Sequence, residues 1–240
     1  MFKKQLASII AAAFIAAPAF ADGHSHGDAA VAQAFIKEIS KTEAAYAKQH
    51  GAKFFAELAK GQHPRATVVT CSDSRVHTNM LDTTPEGDLF MIRDIGNQIA
   101  TATGSVQYGV NHLASSLLII IGHSKCGAIS AAALNDADKA KLEVPVQKEL
   151  ATIGKVTGDI DGVKLNVNNQ VKQAMELFGD KVAEGHLMIV GGVYDFADDM
   201  KQGPGKLNVI NVNGETDAAK VTAALAAAPA GSHGEHEHHH

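Results

Sequence analysis

Five short apolar runs recur along the chain, and stretches with a helical spacing of apolar positions separate them. The runs predict strands at 66–70, 89–92, 117–121, 187–190 and 207–212. The helical pattern covers 29–60, 105–116, 128–134 and 163–177. Gly51 is expected to divide the first helical stretch in two. The run 117–121 is purely aliphatic, which is typical of a strand buried in a parallel sheet, and Gly122 is expected to end it. The alternation predicts an α/β fold, a mainly parallel β-sheet flanked by helices.

The first residues of the chain predict that the protein is exported, and they are not expected to form part of the fold. Residues 1–21 combine Lys3 and Lys4 with an apolar run over 6–17 and the small-residue sequence Ala19-Phe20-Ala21. This pattern is typical of a secretory signal peptide, and cleavage is expected after Ala21. The mature protein would then be periplasmic or secreted. The alternative is an uncleaved helix that lies at the membrane surface.

The rest of the chain is long enough for one domain with its own core. The expected organisation is a flexible polar segment at 22–28, a folded domain with an N-terminal helical arm at 29–217, and a low-complexity Ala- and His-rich tail at 218–240. The histidines of the tail either bind a metal ion or have no role.

Composition excludes two classes of partner. The formal net charge is −5, and no stretch is strongly basic, so nucleic acid is not expected as a partner. After the signal peptide no apolar stretch approaches the length of a membrane-spanning helix, so no membrane partner is expected either.

The two cysteines of the chain follow two of the predicted strands. Cys71 comes directly after the run 66–70, while His123 and Cys126 follow the run 117–121. The carboxyl ends of parallel strands meet at one edge of a sheet, so these side chains are expected to lie together. Two thiolates and an imidazole suit zinc, and three protein ligands leave the fourth position open, as in catalytic zinc sites. The alternative is a disulfide, which an oxidising compartment favours.

The segments around these cysteines resemble the β-class carbonic anhydrases. The family pattern Cys-x-Asp-x-Arg followed by His-x-x-Cys is unbroken here, and the resemblance extends from about residue 29 to 212. It implies that Cys71, His123 and Cys126 bind one Zn²⁺ per chain, and that Asp73 and Arg75 form a carboxylate–guanidinium pair beside it. The implied reaction is the reversible hydration of CO2 to bicarbonate and a proton by a zinc-bound hydroxide.

The resemblance also implies a substrate pocket and an assembly. The matching substrate-binding positions are Gln62, Phe90, Ile95, Tyr108 and Gly127. The glutamine amide and the glycine N–H would donate hydrogen bonds to bicarbonate, and the apolar side chains would line a CO2 pocket, partly from a neighbouring subunit. The implied assembly is a homodimer or a homotetramer. His112 is a candidate for proton transfer, with an ordinary surface or core histidine as the alternative.

Two departures from the family pattern change the expectations. Some relatives bind an inhibitory bicarbonate through a Trp and a Gly near the first cysteine, and Val68 and Thr70 stand at those positions here. No such inhibitory site is expected, so Asp73 should stay off the metal at neutral pH. Asp94 stands where asparagine is usual, which would alter the charge near the pocket.

Three alternative functions remain open. The resemblance also allows hydrolysis of CS2 or COS on the same fold, as in some members of the family, or the chain could be a non-catalytic periplasmic zinc-binding protein. A disulfide between Cys71 and Cys126 would instead give a binding domain without zinc. The presence of both Asp73 and Arg75 favours an enzyme.

Overall fold

The computed structural model describes residues 29–227. The signal peptide predicted at 1–21, the polar segment predicted at 22–28 and the histidines of the tail lie outside these residues. The chain divides into two compact units, one up to Tyr46 and the other from Ala47 onward. In the part that the structure describes, no helix is both long and apolar enough to cross a bilayer.

The N-terminal helical arm is a kinked helix, as the sequence predicts. Helix α1 covers Ala29–Leu58, and its backbone leaves helical geometry at Gly51, where φ is 74°. Glycine adopts this positive φ without the steric cost that other residues carry. In the first unit, Val31, Phe35 and Ile36 are all more than half exposed.

A five-stranded sheet forms the centre of the second unit. Its strands are β1 (Ala66–Cys71), β2 (Leu89–Asp94), β3 (Leu117–His123), β4 (Met188–Asp195) and β5 (Lys206–Val212). The spatial order is β2-β1-β3-β4-β5. The first four strands are mutually parallel, and β5 is antiparallel to β4. The predicted α/β fold with a mainly parallel sheet is therefore confirmed.

Six further helices follow α1 in the described part of the chain. They are α2 (Ile99–Gln107), α3 (Gly127–Ala132), α4 (Asp136–Lys139), α5 (Val144–Ile153), α6 (Ile160–Ala183) and α7 (Ala218–Ala226), together with a π-helical segment at Tyr108–His112 and a 3₁₀ turn at Thr78–Met80. The helix predicted at 105–116 therefore begins earlier, at Ile99, and ends in the π-helical segment. The tail 218–240 begins with an ordered helix, because Val221 of α7 packs in a core cluster with Val190 and Val212.

The prediction that Gly122 ends its strand is wrong, because β3 continues through it to His123. A Cβ at Gly122 would lie 2.7 Å from the Val167 side chain of α6. Glycine is therefore needed here for the close approach of α6 to the sheet and does not mark a strand end. The extension matters for function, because it makes His123 the last residue of a buried strand.

The space around each glycine predicts opposite changes in the free energy of unfolding for two substitutions by alanine. A Cβ at Gly191 in β4 would lie 2.8 Å from the side chains of Val167 and Val171, so Gly191→Ala should lower the free energy of unfolding by about 1–3 kcal/mol. Gly179 lies in α6 with open space around it, so Gly179→Ala should raise that free energy by about 0.5–1 kcal/mol. Urea unfolding of both variants measures the difference, and equal changes would contradict the packing described here.

Candidate metal centre

Three ligand atoms converge at the carboxyl edge of the sheet. The sulfur atoms of Cys71 and Cys126 and a ring nitrogen of His123 all lie within 4.8 Å of one another. Cys71 ends β1, His123 ends the neighbouring strand β3, and Cys126 is the residue before the first turn of α3. All three are buried. Because β1 and β3 are parallel neighbours, the structure brings the two halves of the sequence pattern to one point.

The histidine ring is prepared to bind a metal ion. His123 Nδ1 lies 2.9 Å from the carbonyl oxygen of Ser124, and this bond requires the proton to be on Nδ1. The lone pair of a neutral ring is then on Nε2. Within the described residues this buried Nε2 has no hydrogen-bond partner. An unpaired buried nitrogen beside two thiols is costly unless it binds a cation, so the donor set fits zinc.

The two cysteines are free thiols rather than a disulfide. A hydrogen bond between them lowers the pKa of Cys71 and raises the pKa of Cys126, and burial raises the latter further. The N–H of Gly96 donates to the Cys71 sulfur at 3.5 Å and stabilises charge on it. A dication would allow both sulfurs to be thiolates.

Asp73 and Arg75 form a two-pronged ion pair beside the ligands. Arg75 Nε lies 2.8 Å from Asp73 Oδ1, and Arg75 Nη2 lies 2.7 Å from Asp73 Oδ2. The same guanidinium donates to the carbonyl of Lys125, which ties it to the segment that carries Cys126. Asp73 Oδ2 lies 3.9 Å from His123 Nε2. The Arg75 guanidinium holds the pKa of Asp73 at about 2, so the carboxylate stays ionised.

Two residues at this edge were not identified from the sequence as parts of the site. Arg93 donates to the carbonyls of Cys71 and Asp73 and so fixes the backbone between them. The ring of Phe196 lies 4.8 Å from the Arg75 guanidinium and 5.9 Å from the His123 ring. Phe196 directly follows the carboxyl end of β4, and this position is the feature of the sequence that could have identified it as part of the site.

Two of the predicted substrate-binding residues lie close to the metal ligands. Ile95 packs against the apolar cluster that contains Cys71 and Cys126. Gly127 follows Cys126 and begins α3, with open space where a side chain would lie. An apolar surface and a backbone N–H are thus both available beside the thiols.

The other predicted substrate residues are not beside the metal ligands of the same chain. Phe90 pairs with Thr67, four residues before Cys71, which separates them by about 13 Å along the strands. Tyr108 packs on Phe90 with ring centroids 5.9 Å apart, and it stacks on the exposed His112 at 5.5 Å. Gln62 is exposed in the segment before β1.

Asp94, the departure from the family pattern, acts at the start of α2. Its carboxylate accepts hydrogen bonds from the backbone N–H of Gln98, at 2.8 Å, and from the hydroxyl of Thr101. Burial raises the pKa of this carboxyl group. The side chain thus satisfies a free N–H before the first turn of the helix.

Comparison with known proteins gives one consistent family. The family description "Carbonic anhydrase" matches residues 66–206. Carbonic anhydrase 2 of Mycobacterium tuberculosis is 33% identical over 156 residues, which cover 60% of this chain and 75% of that protein. The carbonic anhydrase of Mycolicibacterium smegmatis is 31% identical over 157 residues, 60% of this chain and 76% of the relative.

Solved structures agree with this result. The β-carbonic anhydrase CcaA superposes with a TM-score of 0.62 at 25% identity, over 76% of this chain and 88% of that chain. A β-carbonic anhydrase from Sordaria macrospora, described as tetrameric, superposes with a TM-score of 0.63 at 23% identity, over 75% of this chain and 98% of the other, which supports the fold. The family match covers more than half of the sequence, and the Cys-His-Cys group fits the zinc on which β-carbonic anhydrases depend. The chain therefore belongs to the β-class carbonic anhydrases and catalyses the zinc-dependent, reversible hydration of CO2 to bicarbonate.

Proposed function

We propose that Cys71, His123 and Cys126 hold one Zn²⁺ per chain, and that Asp73 and Arg75 orient the reacting water. The buried Nε2 of His123, which lies beside two thiols and has no hydrogen-bond partner among the residues that the structure describes, is the observation that carries this proposal. When bound, zinc supplies the Lewis acidity that makes water a nucleophile near neutral pH.

Asp73 acts as an acceptor of hydrogen bonds rather than as a base. Its pKa of about 2 makes it too weak a base to remove a proton at neutral pH. An ionised carboxylate 3.9 Å from the ligand nitrogen of His123 can instead accept a hydrogen bond from the reacting water. That bond turns an oxygen lone pair toward CO2. Arg75 keeps the carboxylate in this orientation through two parallel bonds, a geometry that lysine cannot reproduce.

Ile95 and Gly127 bind substrate and product from the same chain. CO2 is apolar, so the side chain of Ile95 in the cluster around the thiols offers it a favourable surface. Bicarbonate carries negative charge on its oxygens, and the N–H of Gly127 would donate a hydrogen bond to it.

Gln62, Phe90 and Tyr108 complete the pocket from a second copy of the chain. Phe90 lies about 13 Å from Cys71 along the strands, so a single chain leaves the apolar wall incomplete. Tyr108 is 49% exposed, as a residue that contacts a partner would be in an isolated chain. The assembly is a homodimer or a homotetramer, and the related enzyme from Sordaria macrospora is described as tetrameric. The exposed His112 is the candidate for proton transfer.

The mature enzyme begins at Asp22 and works in the periplasm or outside the cell. The charged and apolar pattern of residues 1–21 supports this assignment. In an oxidising compartment, zinc would also protect the Cys71 and Cys126 thiolates from forming a disulfide.

Native mass spectrometry of the exported protein tests these proposals together. We expect a chain that begins at Asp22, one zinc per chain, and an assembly of two or four chains.

Removal of zinc with a chelator should abolish CO2 hydration, and added zinc should restore it. A chain that retains residues 1–21 would contradict export, an active monomer would contradict the shared pocket, and full activity without zinc would contradict the metal site. Hydrolysis of CS2 or COS without CO2 hydration would contradict the reaction itself.

A further inference from the structure

The loop after β2 approaches the sulfur of Cys71 through its backbone. The N–H of Gly96 donates to Cys71 Sγ at 3.5 Å. Gly96 has a φ of 80°, and a Cβ there would lie 2.9 Å from the side chain of Ile153. Both facts require glycine, because a side chain would strain the backbone and push the loop away from the sulfur.

Two buried amides of α6 hold this loop in place. Asn166 Nδ2 donates to the carbonyl oxygen of Gly96 at 2.9 Å. Gln170 Nε2 donates to Asn166 Oδ1 at 3.1 Å, and Gln170 Oε1 accepts from the N–H of Ile99 at 2.8 Å. Asn166 is 1% exposed and Gln170 is fully buried. A buried amide is costly unless it is paired, so this chain of bonds determines the position of the loop.

Asn166 contacts Gly96 itself, whereas other side chains anchor the neighbouring residues. Gln98 Nε2 donates to the carbonyl of Ile95, and Asp94 accepts from the N–H of Gln98. Within the described residues, the side chains that form hydrogen bonds with the Gly96 backbone are those of Asn166 and Cys71. Loss of the Asn166 amide would therefore release the Gly96 carbonyl and loosen one of the two peptide groups that meet at the Gly96 Cα, while the rest of the loop stays anchored.

We propose that Asn166, oriented by Gln170, is a positioning residue that sets the charge on the metal-binding sulfur of Cys71. Asn166 fixes the peptide group that follows the Gly96 Cα, and Gln98 holds the carbonyl of the peptide group that carries the Gly96 N–H. The two bonds together fix the N–H···S hydrogen bond. A hydrogen bond to a thiolate withdraws charge from the sulfur and weakens its donation to the metal. The inference rests on the proposed function, because it requires a metal ion on Cys71.

Cobalt-substituted protein gives a direct measure of charge on the sulfur. The thiolate-to-cobalt charge-transfer band should move to longer wavelength in Asn166→Ala, because the sulfur that loses its hydrogen bond gives up an electron more easily. Gln170→Met keeps the length and packing of the side chain but cannot orient Asn166, so a smaller shift in the same direction is expected. This second variant keeps the test available if Asn166→Ala fails to fold.

Asn168→Ala is the matched control on the same helix. Asn168 accepts a hydrogen bond from Asn211 at 2.9 Å, so its replacement also removes an amide pair from α6, but away from the metal ligands. The band should stay in place in this variant. An unchanged band in fully loaded Asn166→Ala and Gln170→Met would overturn the inference, and so would an equal shift in Asn168→Ala. A wild-type protein without any thiolate-to-cobalt band would overturn the metal site, and the inference with it.

Discussion

Replacing Cys126 with serine should remove the metal and lower kcat/KM for CO2 hydration by about 1000-fold or more, because Lewis-acid stabilisation of several kcal/mol is lost. A serine hydroxyl stays protonated at neutral pH and cannot replace a thiolate. The remaining ligands, Cys71 and His123, leave two of the four zinc positions without a protein donor. Zinc content per chain and the initial rate of hydration measure the result.

The fold should survive this substitution. Cys126 is the residue before the first turn of α3, it has an extended backbone, and its side chain makes no capping hydrogen bond. Serine is among the preferred residues at such a position and stabilises a helix by up to about 1 kcal/mol when its oxygen accepts from the first turn. Cys126→Ser should therefore be at least as stable to urea as zinc-free wild-type protein. A variant that keeps one zinc and full activity would contradict the ligand assignment.

Replacing Asp73 with asparagine should lower kcat by roughly 100-fold while zinc stays bound, as when other enzymes lose one oriented hydrogen-bonding group in the active site. The amide has nearly the shape of the carboxylate, but it loses the charge that Arg75 holds with two bonds. The reacting water then loses its strongest acceptor, and Arg75 loses its partner. Steady-state kinetics together with zinc analysis show whether the variant has lost the orientation of the reacting water or the metal ion itself.

Asp199→Asn is the matched control for this prediction. Asp199 also lies at the carboxyl edge of the sheet, where it accepts from Lys125 Nζ at 2.8 Å, and its side chain is 22% exposed. The same isosteric change there should leave kcat nearly unchanged. Equal losses in both variants, or zinc loss in Asp73→Asn, would show that Asp73 has only a structural role.

The apolar runs of the sequence were sufficient to locate all five strands, and the run of β3 is purely aliphatic because that strand is buried between parallel neighbours on both sides. They were not sufficient for the ends of the elements. A glycine after an apolar run, such as Gly122, usually indicates the end of a strand. Only the position of Val167 on α6 shows why the strand continues through a glycine here. The start of α2 was missed because the backbone N–H groups there are satisfied from outside the helix, by Asp94 in the preceding strand and by Gln170 in α6.

The candidate site was also predicted only in part, because a local sequence pattern does not show which elements pack together. The metal ligands were identified because each follows an apolar run, so strand order alone brings them together. Phe196 also follows a strand, but its role depends on β4 lying beside β3. Asn166 could not be identified in this way, because its role depends on α6 lying across the sheet. The contribution that we propose for Phe90 and Tyr108 would depend on a second chain, whose placement no local pattern encodes.

Val167 of α6 lies against Gly122 in β3 and Gly191 in β4, and it directly follows Asn166, whose amide holds the Gly96 loop. A helix packed this closely cannot move away from the sheet without also moving that loop. Loss of the core and loss of the metal geometry are therefore parts of one cooperative event. On heating, the enzyme should release its zinc as it unfolds and should not pass through a folded, metal-free intermediate.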